Sequence, residues 1–383
     1  MQGFVNQDFK VIWRVLERHL KQCYSVEGIS IKSIRLYKQM NYLGKHTLIK
    51  ASFFCCFSLL LVLLVGLFPK LSIAQNQRVG TDITSLNIIT KANPSNSITE
   101  TRGDSEFEGK SFTLNFLGLT QSIKELSFES GKAKVEGNTP ARVYVQRKPS
   151  TDTRQLAWYF GTLNPESNGF TFLSSGPLSE EQLFSENNIL AGYDNVFTNT
   201  GANVQNRPYN GNASIERLDF VLENPIQSSD NTGFVVLERG AVTGHDGFKI
   251  AAITGINPSG SPTSYGSVFT FEANSWGKFP LVTPIPQTYF VNNIADGGKG
   301  IPKNPALTIP AGQTLGGVLI RTGVMAGSGQ NIYGYSIFGI DVTCSSTELT
   351  NIQNSCFPSE TGTNGGIDLP AANLGAVSLQ PGV

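Results

Sequence analysis

The chain has 383 residues, with 29 basic and 29 acidic side chains, 40 Gly and 19 Pro, and it is 39% hydrophobic and 10% aromatic. That balance excludes a strongly basic nucleic-acid binder, and the apolar share suffices for a core, which excludes wholesale disorder; a polytopic membrane protein is excluded as well. What remains is an exported protein with one large β-rich domain.

The zero net charge averages two unlike segments. Residues 1–50 carry nine basic side chains against three acidic ones, Asp8, Glu17 and Glu27. The eighteen residues 51–68 carry no charge and run through Phe53, Phe54 and the aliphatic stretch 59–65. This is the form of a signal-peptide hydrophobic region or a short membrane span. Small side chains at Ser72 and Ala74 have the spacing a signal peptidase needs, so cleavage is expected after Ala74. A start at Met40 gives residues 40–74 the form of an ordinary signal peptide. Residues 1–39 therefore read as an over-called start, with a cytoplasmic leader helix through Phe9, Ile12, Leu16 and Leu20 as the alternative. Contact with a membrane is expected only through this N-terminal segment, if it stays uncleaved.

Beyond it, residues 75–383 carry 19 basic and 26 acidic side chains, a net charge of −7 (19 − 26). An acidic surface repels nucleic acid and anionic lipid, so no nucleic-acid partner is expected.

Strand-like alternation recurs along the chain. It starts at 111–117, where Phe112, Leu114 and Phe116 share a face, and returns at 141–147, 155–160 and 169–173. A single helical turn is expected at 178–183. Further runs follow at 193–199 and at 214–222, with Leu218, Phe220 and Leu222 inward and Arg217 and Asp219 outward. The rest lie at 233–239, 247–256, 267–272, 317–322 and 335–343. Turn signals such as Asn164-Pro165, Asn210-Gly211 and Asn224-Pro225 punctuate them. The expected class is all-β, a β-sandwich or jelly roll, as one domain over 80–345.

Residues 346–383 hold one aromatic, Phe357, and scattered aliphatics among Thr, Ser, Asn and Gly, so they read as a loosely ordered tail. Five cysteines occur in the chain, but only Cys344 and Cys356 lie beyond Ala74. In an oxidising compartment they are a candidate disulfide worth roughly 2 to 3 kcal/mol. A zinc site there is the weaker reading, since no second Cys or His cluster lies nearby to complete it.

Five blocks carry a family resemblance: DNVFTNTG at 194–201, IERLD at 215–219, GFVVLERG at 233–240, DGFKIAAIT at 246–254 and IYGYSIFG at 332–339. Their order and spacing over about 190–345 resemble largely uncharacterised secreted β-sandwich domains of Gram-negative bacterial surface proteins. The resemblance implies a secreted module that accompanies surface-anchoring or adhesin-like regions. It lends no catalytic residues.

Signs of chemistry are sparse. His245 is the only histidine after Ala74, which leaves no multi-histidine metal centre, and its Gly-rich surroundings read as a solvated turn. No G-x-S-x-G elbow is present. Glu216 and Asp219, three apart on a strand, point to opposite faces and cannot share a substrate. Glu238 with Asp341, drawn from separate strands, is the remaining carboxylate pair for a carbohydrate-active enzyme, either a glycoside hydrolase or a lyase on a jelly-roll scaffold. Asp194, Asn195, Asp230 and Asn231 are candidate oxygen ligands for a structural calcium, but without EF-hand spacing they read as turn caps, and no cofactor is expected.

Aromatic rings are the better candidates. Trp276, Trp158, Tyr159, Tyr289, Tyr333 and Tyr335 are residue types that stack on the apolar face of a sugar. Trp276, in a loop, is the leading exposed ring, while Trp158 and Tyr159 as strand neighbours should place one ring inside and one outside. The expected function is a non-enzymatic binding or adhesion module whose partner is a glycan or a cell-surface polymer.

Overall fold

A chain of short alternating runs buries its apolar faces only by stacking sheets. The computed structural model describes residues 79–383, without 104–110, 150–153, 165–168, 176–179, 199–214, 242–244, 282–286, 294–300, 303–312, 359–365, 373–374 and 382–383, and holds twenty strands in the described residues. The protein is all-β, with sheets packed against one another. The signal peptide, its cleavage point and the 1–39 leader lie outside the described residues. No helix among those described is long and apolar enough to cross a membrane.

The first sheet has seven strands in the spatial order β1 (Gly80–Asp82), β17 (Gln313–Arg321), β12 (Thr232–Ala241), β20 (Ala376–Pro381), β6 (Gly131–Thr139), β5 (Leu119–Phe128) and β2 (Ser85–Ala92). The second runs β16 (Ile301–Pro302), β15 (Gln287–Asn293), β8 (Arg154–Asn164), β9 (Gly169–Phe172), β4 (Ser111–Phe116) and β3 (Ile98–Gly103). In that second sheet β10 (Asn187–Tyr193) also pairs with β8, and β19 (Leu369–Ala372) with β10. The third is β14 (Pro262–Phe271), β13 (Phe248–Ile256), β18 (Asn331–Gly339), β11 (Ile215–Gln227) and β7 (Ala141–Arg147). Two short helices, α1 (Glu180–Ser185) and α2 (Thr322–Ala326), complete the regular structure of the described residues.

One two-stranded ribbon joins the first two sheets. β2 pairs with β5 in one sheet and β3 with β4 in the other, so the same two chain segments bend from sheet to sheet. The bend falls at Pro94–Asn96 on one segment and at Gly118 on the other, where a φ of 59° suits glycine; Asn93 N–H bonds Gly118 O at 2.6 Å and pins the corner.

Three apolar clusters fill the space between layers. The largest joins the inner face of the third sheet, including Leu218, Phe220 and Ile337, to Phe234, Val236, Val318 and Ile320 of the first and to Tyr159 and Phe172 of the second. The next lies on the opposite side of β12 and β17, where Val235, Leu237 and Leu319 meet Trp158, Phe160 and Phe128. The third coats the outer face of the third sheet with Val221, Ala251, Ile253, Phe338, Leu349 and Phe357. Strands β8, β12 and β17 are thus covered on both faces, and each large side chain buried there contributes on the order of 1.5 to 3 kcal/mol.

Two expectations need correction. Residues 193–199 do not form a strand: β10 ends at Tyr193, Asn195 takes a φ of 48°, and Val196 N–H turns to Ile367 O. Residues 346–383 are no loose tail either. Ile367, Leu369, Ala371, Val377 and Leu379 are buried, and β20 sits inside the first sheet between β12 and β6. The aliphatics that look scattered recur every second residue, which is enough for a strand with both faces covered. The described residues form one compact unit, Gln77–Val383, so the domain runs well past 345.

Candidate functional site

The ring candidates go mostly inside. Trp158, Tyr159, Trp276 and Tyr335 are each at most 1% exposed. Trp158 and Tyr159 do point to opposite faces of β8, but both faces are covered, so neither ring is outward. Trp276 stacks edge-on against Phe248 at 4.9 Å, and its Nε1 donates to Asp246 O at 2.9 Å. The leading exposed ring is therefore a core residue, because its loop folds back over the end of the largest cluster. Tyr333 is half-buried on the outer face of the third sheet, packed against the third cluster. Tyr289 stands opposite Trp158 in register, and its side chain lies outside the described residues.

His245 is likewise not a solvated turn residue. It is 1% exposed and packs where Gly277 and Gly316 leave room: a Cβ on Gly316 would come within 2.2 Å of its Nε2. Burial pushes its pKa down to about 4, against the opposing pull of Asp82, so the imidazole is neutral at pH 7. Its Nε2 has no hydrogen-bond partner among the described residues.

Around this histidine the acids converge, but inside the protein. Glu238, fully buried, accepts the Asp246 N–H on both oxygens at 2.9 Å. Burial first, then the charge of Asp246, holds its pKa well above the usual carboxyl range. On the opposite face of β12, Arg239 donates to Asp194 and Asp368, and its guanidinium lies over the Trp158 ring at 5.3 Å. Asn195 N–H reaches Asp368 at 2.8 Å. The pair expected from separate strands is not formed: the charged neighbours of Glu238 are Asp246 and Asp368, whereas Asp341 lies against Gly339. The oxygens considered for calcium divide in the same way, Asp194 and Asn195 into this network and Asp230 and Asn231 to the surface. Among the described residues no group of three or more His, Cys, Asp or Glu side chains is placed to hold a metal.

A second network holds a cap on the third sheet. Arg217 and Asp219, expected outward and solvated, are 3% and 0% exposed, with Arg217 Nε 2.6 Å from the carboxylate. Ser336 donates to the same carboxylate at 2.5 Å. What covers them is the loop closed by the Cys344–Cys356 disulfide, whose Cα atoms are 4.9 Å apart. Three cations grip backbone carbonyls of the segment around it: Arg217 on Leu349 O, Lys249 on Val342 O, and Lys148 on Phe357 O at 2.6 Å. Glu216, 3% exposed, lies 4.0 Å from Lys148 on the inner side.

An open concavity remains at the end of the second cluster. It measures about 310 Å³ and lies between the β5–β6 turn, the Asp230–Asn231 turn and the end of β17. Its lining combines the buried apolar side chains of Phe128, Ala133 and Leu379 with Ser130, Gly131, Lys132, Asp230, Asn231 and Arg321. Neither Arg321 nor Lys132 shows in the sequence as a site residue. Lys132 opens β6 and Arg321 closes β17 as ordinary surface cations do, and only the turn between β11 and β12 brings Asp230 beside Arg321, whose Nη1 donates to Asp230 O.

Together these features define an all-β module that holds Glu238, Asp194, Asp368, Asp219 and the rings of Trp158, Tyr159, Trp276 and Tyr335 in its interior and whose described surface offers a cleft of mixed polar and apolar lining. Comparison with known proteins finds no family model, no curated protein and no solved structure that matches the chain.

Proposed function

We propose that the protein is a secreted or cell-surface, non-enzymatic binding or adhesion module, built on a β-sandwich or jelly-roll scaffold and directed at a glycan or cell-surface polymer. The observation that carries this reading is the placement of its ionisable groups. Glu238 accepts the Asp246 backbone N–H, Asp194 and Asp368 meet Arg239, and Asp219 meets Arg217 beneath the disulfide-closed cap, all four carboxylates at most 7% exposed and out of reach of substrate, and neutral His245 lies under Trp276. A glycoside hydrolase or lyase needs its acid and base at an open site.

Export is supported by the uncharged 51–68 segment, the small residues at Ser72 and Ala74, and a bonded cysteine pair, which persists in oxidising compartments. The resemblance over about 190–345 points the same way. Screening the purified protein against an array of glycans and bacterial surface polymers tests the function. Binding without release of new reducing ends is expected, whereas turnover of any bound polymer overturns the reading. N-terminal sequencing of the exported protein should begin at Gln75.

A further inference from the structure

The geometry points to the cleft between the β5–β6 turn and Arg321 as a site for the carboxylate of an acidic saccharide, a hexuronate unit within a polymer. This deepens the binding-module reading and rests on it.

Arg321 is the main reason. Arg147 meets Glu181, Arg217 meets Asp219, and Arg239 meets Asp194 and Asp368. Arg321 and the exposed Arg142 have no carboxylate ion pair among the described residues; of the two, Arg321 lines the cleft, and its Nη1 donates to the Asp230 backbone carbonyl. That contact orients the guanidinium in the cleft lining and leaves the other N–H donors of the fork to a ligand. A guanidinium matches a carboxylate with two parallel hydrogen bonds. In a chain whose residues 75–383 carry seven more acidic than basic side chains, such an arginine lining a concavity is a local reversal of field that draws an anion in.

The remaining lining selects the kind of anion. Lys132, which also lines the cleft, is 64% exposed and paired with Glu125 at 3.0 Å, so it adds a solvated second cation whose charge is already partly met. Asp230 in the lining disfavours a doubly charged phosphate but accepts hydrogen bonds from hydroxyls, as Asn231 and Ser130 do. The lining contributed by Phe128, Ala133 and Leu379 is apolar and suits the C–H face of a pyranose ring. A volume of 310 Å³ is at the low end of small-molecule sites, about 300 to 1,000 Å³, which fits a short stretch of sugar.

The test is calorimetric titration of the purified protein with oligogalacturonate, and with the same oligomer after its carboxylates are reduced to alcohols. The acidic oligomer should bind, and the reduced one at least about tenfold more weakly, since a charge-assisted pair is lost. Arg321→Ala should weaken the acidic oligomer by about the same factor, with Arg321→Lys between, because an ammonium keeps the charge but not the fork. Lys132→Ala, at an exposed position, is the second variant should Arg321→Ala fail to fold, and it should weaken binding and flatten its salt dependence. Equal affinity for the two oligomers overturns the inference, as does unchanged affinity in either folded variant. If the array shows neutral glycans bound and acidic ones ignored, this inference fails while the binding-module reading stands. If no glycan or surface polymer binds, both fail.

Discussion

Arg239 and Asp368, 129 positions apart in the chain, meet inside the protein in a charge pair that also takes in Asp194. Arg239 stands on β12 of the first sheet, and Asp368 immediately precedes β19 of the second, so the pair ties two sheets together. Removing one partner leaves the other charge buried, which costs about 3 to 5 kcal/mol. Arg239→Met should lower the unfolding free energy by about that amount, and adding Asp368→Asn with Asp194→Asn should recover part of it. Equilibrium urea unfolding of the three forms measures the difference.

The pH dependence of stability should have two opposed limbs. His245 has a folded pKa of about 4, below its unfolded value of 6.5, so its contribution is complete above pH 6.5 and is lost as the pH falls toward 4. A shift of that size is worth on the order of 3 kcal/mol. Glu238 is raised in the folded state, so its contribution is complete below the ordinary carboxyl value and is lost as the pH rises through its folded pKa. His245→Asn should flatten the limb that falls toward acid pH, and Glu238→Gln the limb that falls as the pH rises above the ordinary carboxyl value. Urea midpoints measured from pH 4 to 9 separate the two.

Gly316 should tolerate no side chain while His245 is present. A Cβ there falls 2.2 Å from Nε2, so Gly316→Ala should destabilise by several times the ~1 kcal/mol of a typical substitution. His245→Ala in the same chain should restore part of the loss; the Gly277 carbonyl oxygen, 2.6 Å from the same point, limits how much. Thermal midpoints of the single and double variants decide it.

Cutting the disulfide should loosen one layer and spare the others. Closing a loop of this size is worth about 3 kcal/mol, and Cys344→Ala with Cys356→Ala should lose about that. Hydrogen exchange should rise through 342–358 and over the outer faces of β11, β13 and β18, where Val221, Phe338 and Ile253 lie under the cap. Protection in β8 and β12 should be unchanged. Uniform loss of protection would contradict the layered arrangement.

Much of the third sheet was readable in the sequence. In β11 the alternation separates Leu218, Phe220 and Leu222 from Arg217 and Asp219, and those faces are the observed ones. Alternation tells which side chains share a face, however, and not what lies on the other side. Arg217 is buried by a carbonyl at Leu349, 132 positions away, and no local signal announces that contact. Trp158 and Tyr159 illustrate the same limit, since β8 has sheet on both sides. Strands β2, β3, β5 and β6 escaped notice because polar and charged residues fill much of their length, as in β6, where Lys132, Lys134 and Glu136 face solvent. The cleft is formed by turns and strand ends from four separate parts of the chain, and nothing in the spacing of Ser130, Asp230, Arg321 and Leu379 connects them.

The position of β20 has a consequence for the order of folding. Residues 376–381 bridge β12 to β6 near the middle of the seven-stranded sheet, so the halves on either side stay unjoined until β20 is in place. Sheet closure depends on contacts across more than a hundred residues, which slows folding relative to a chain with local pairings. Until β20 docks, β12 and β6 each present an open sheet edge, so β20 acts as the keystone of the seven-stranded sheet.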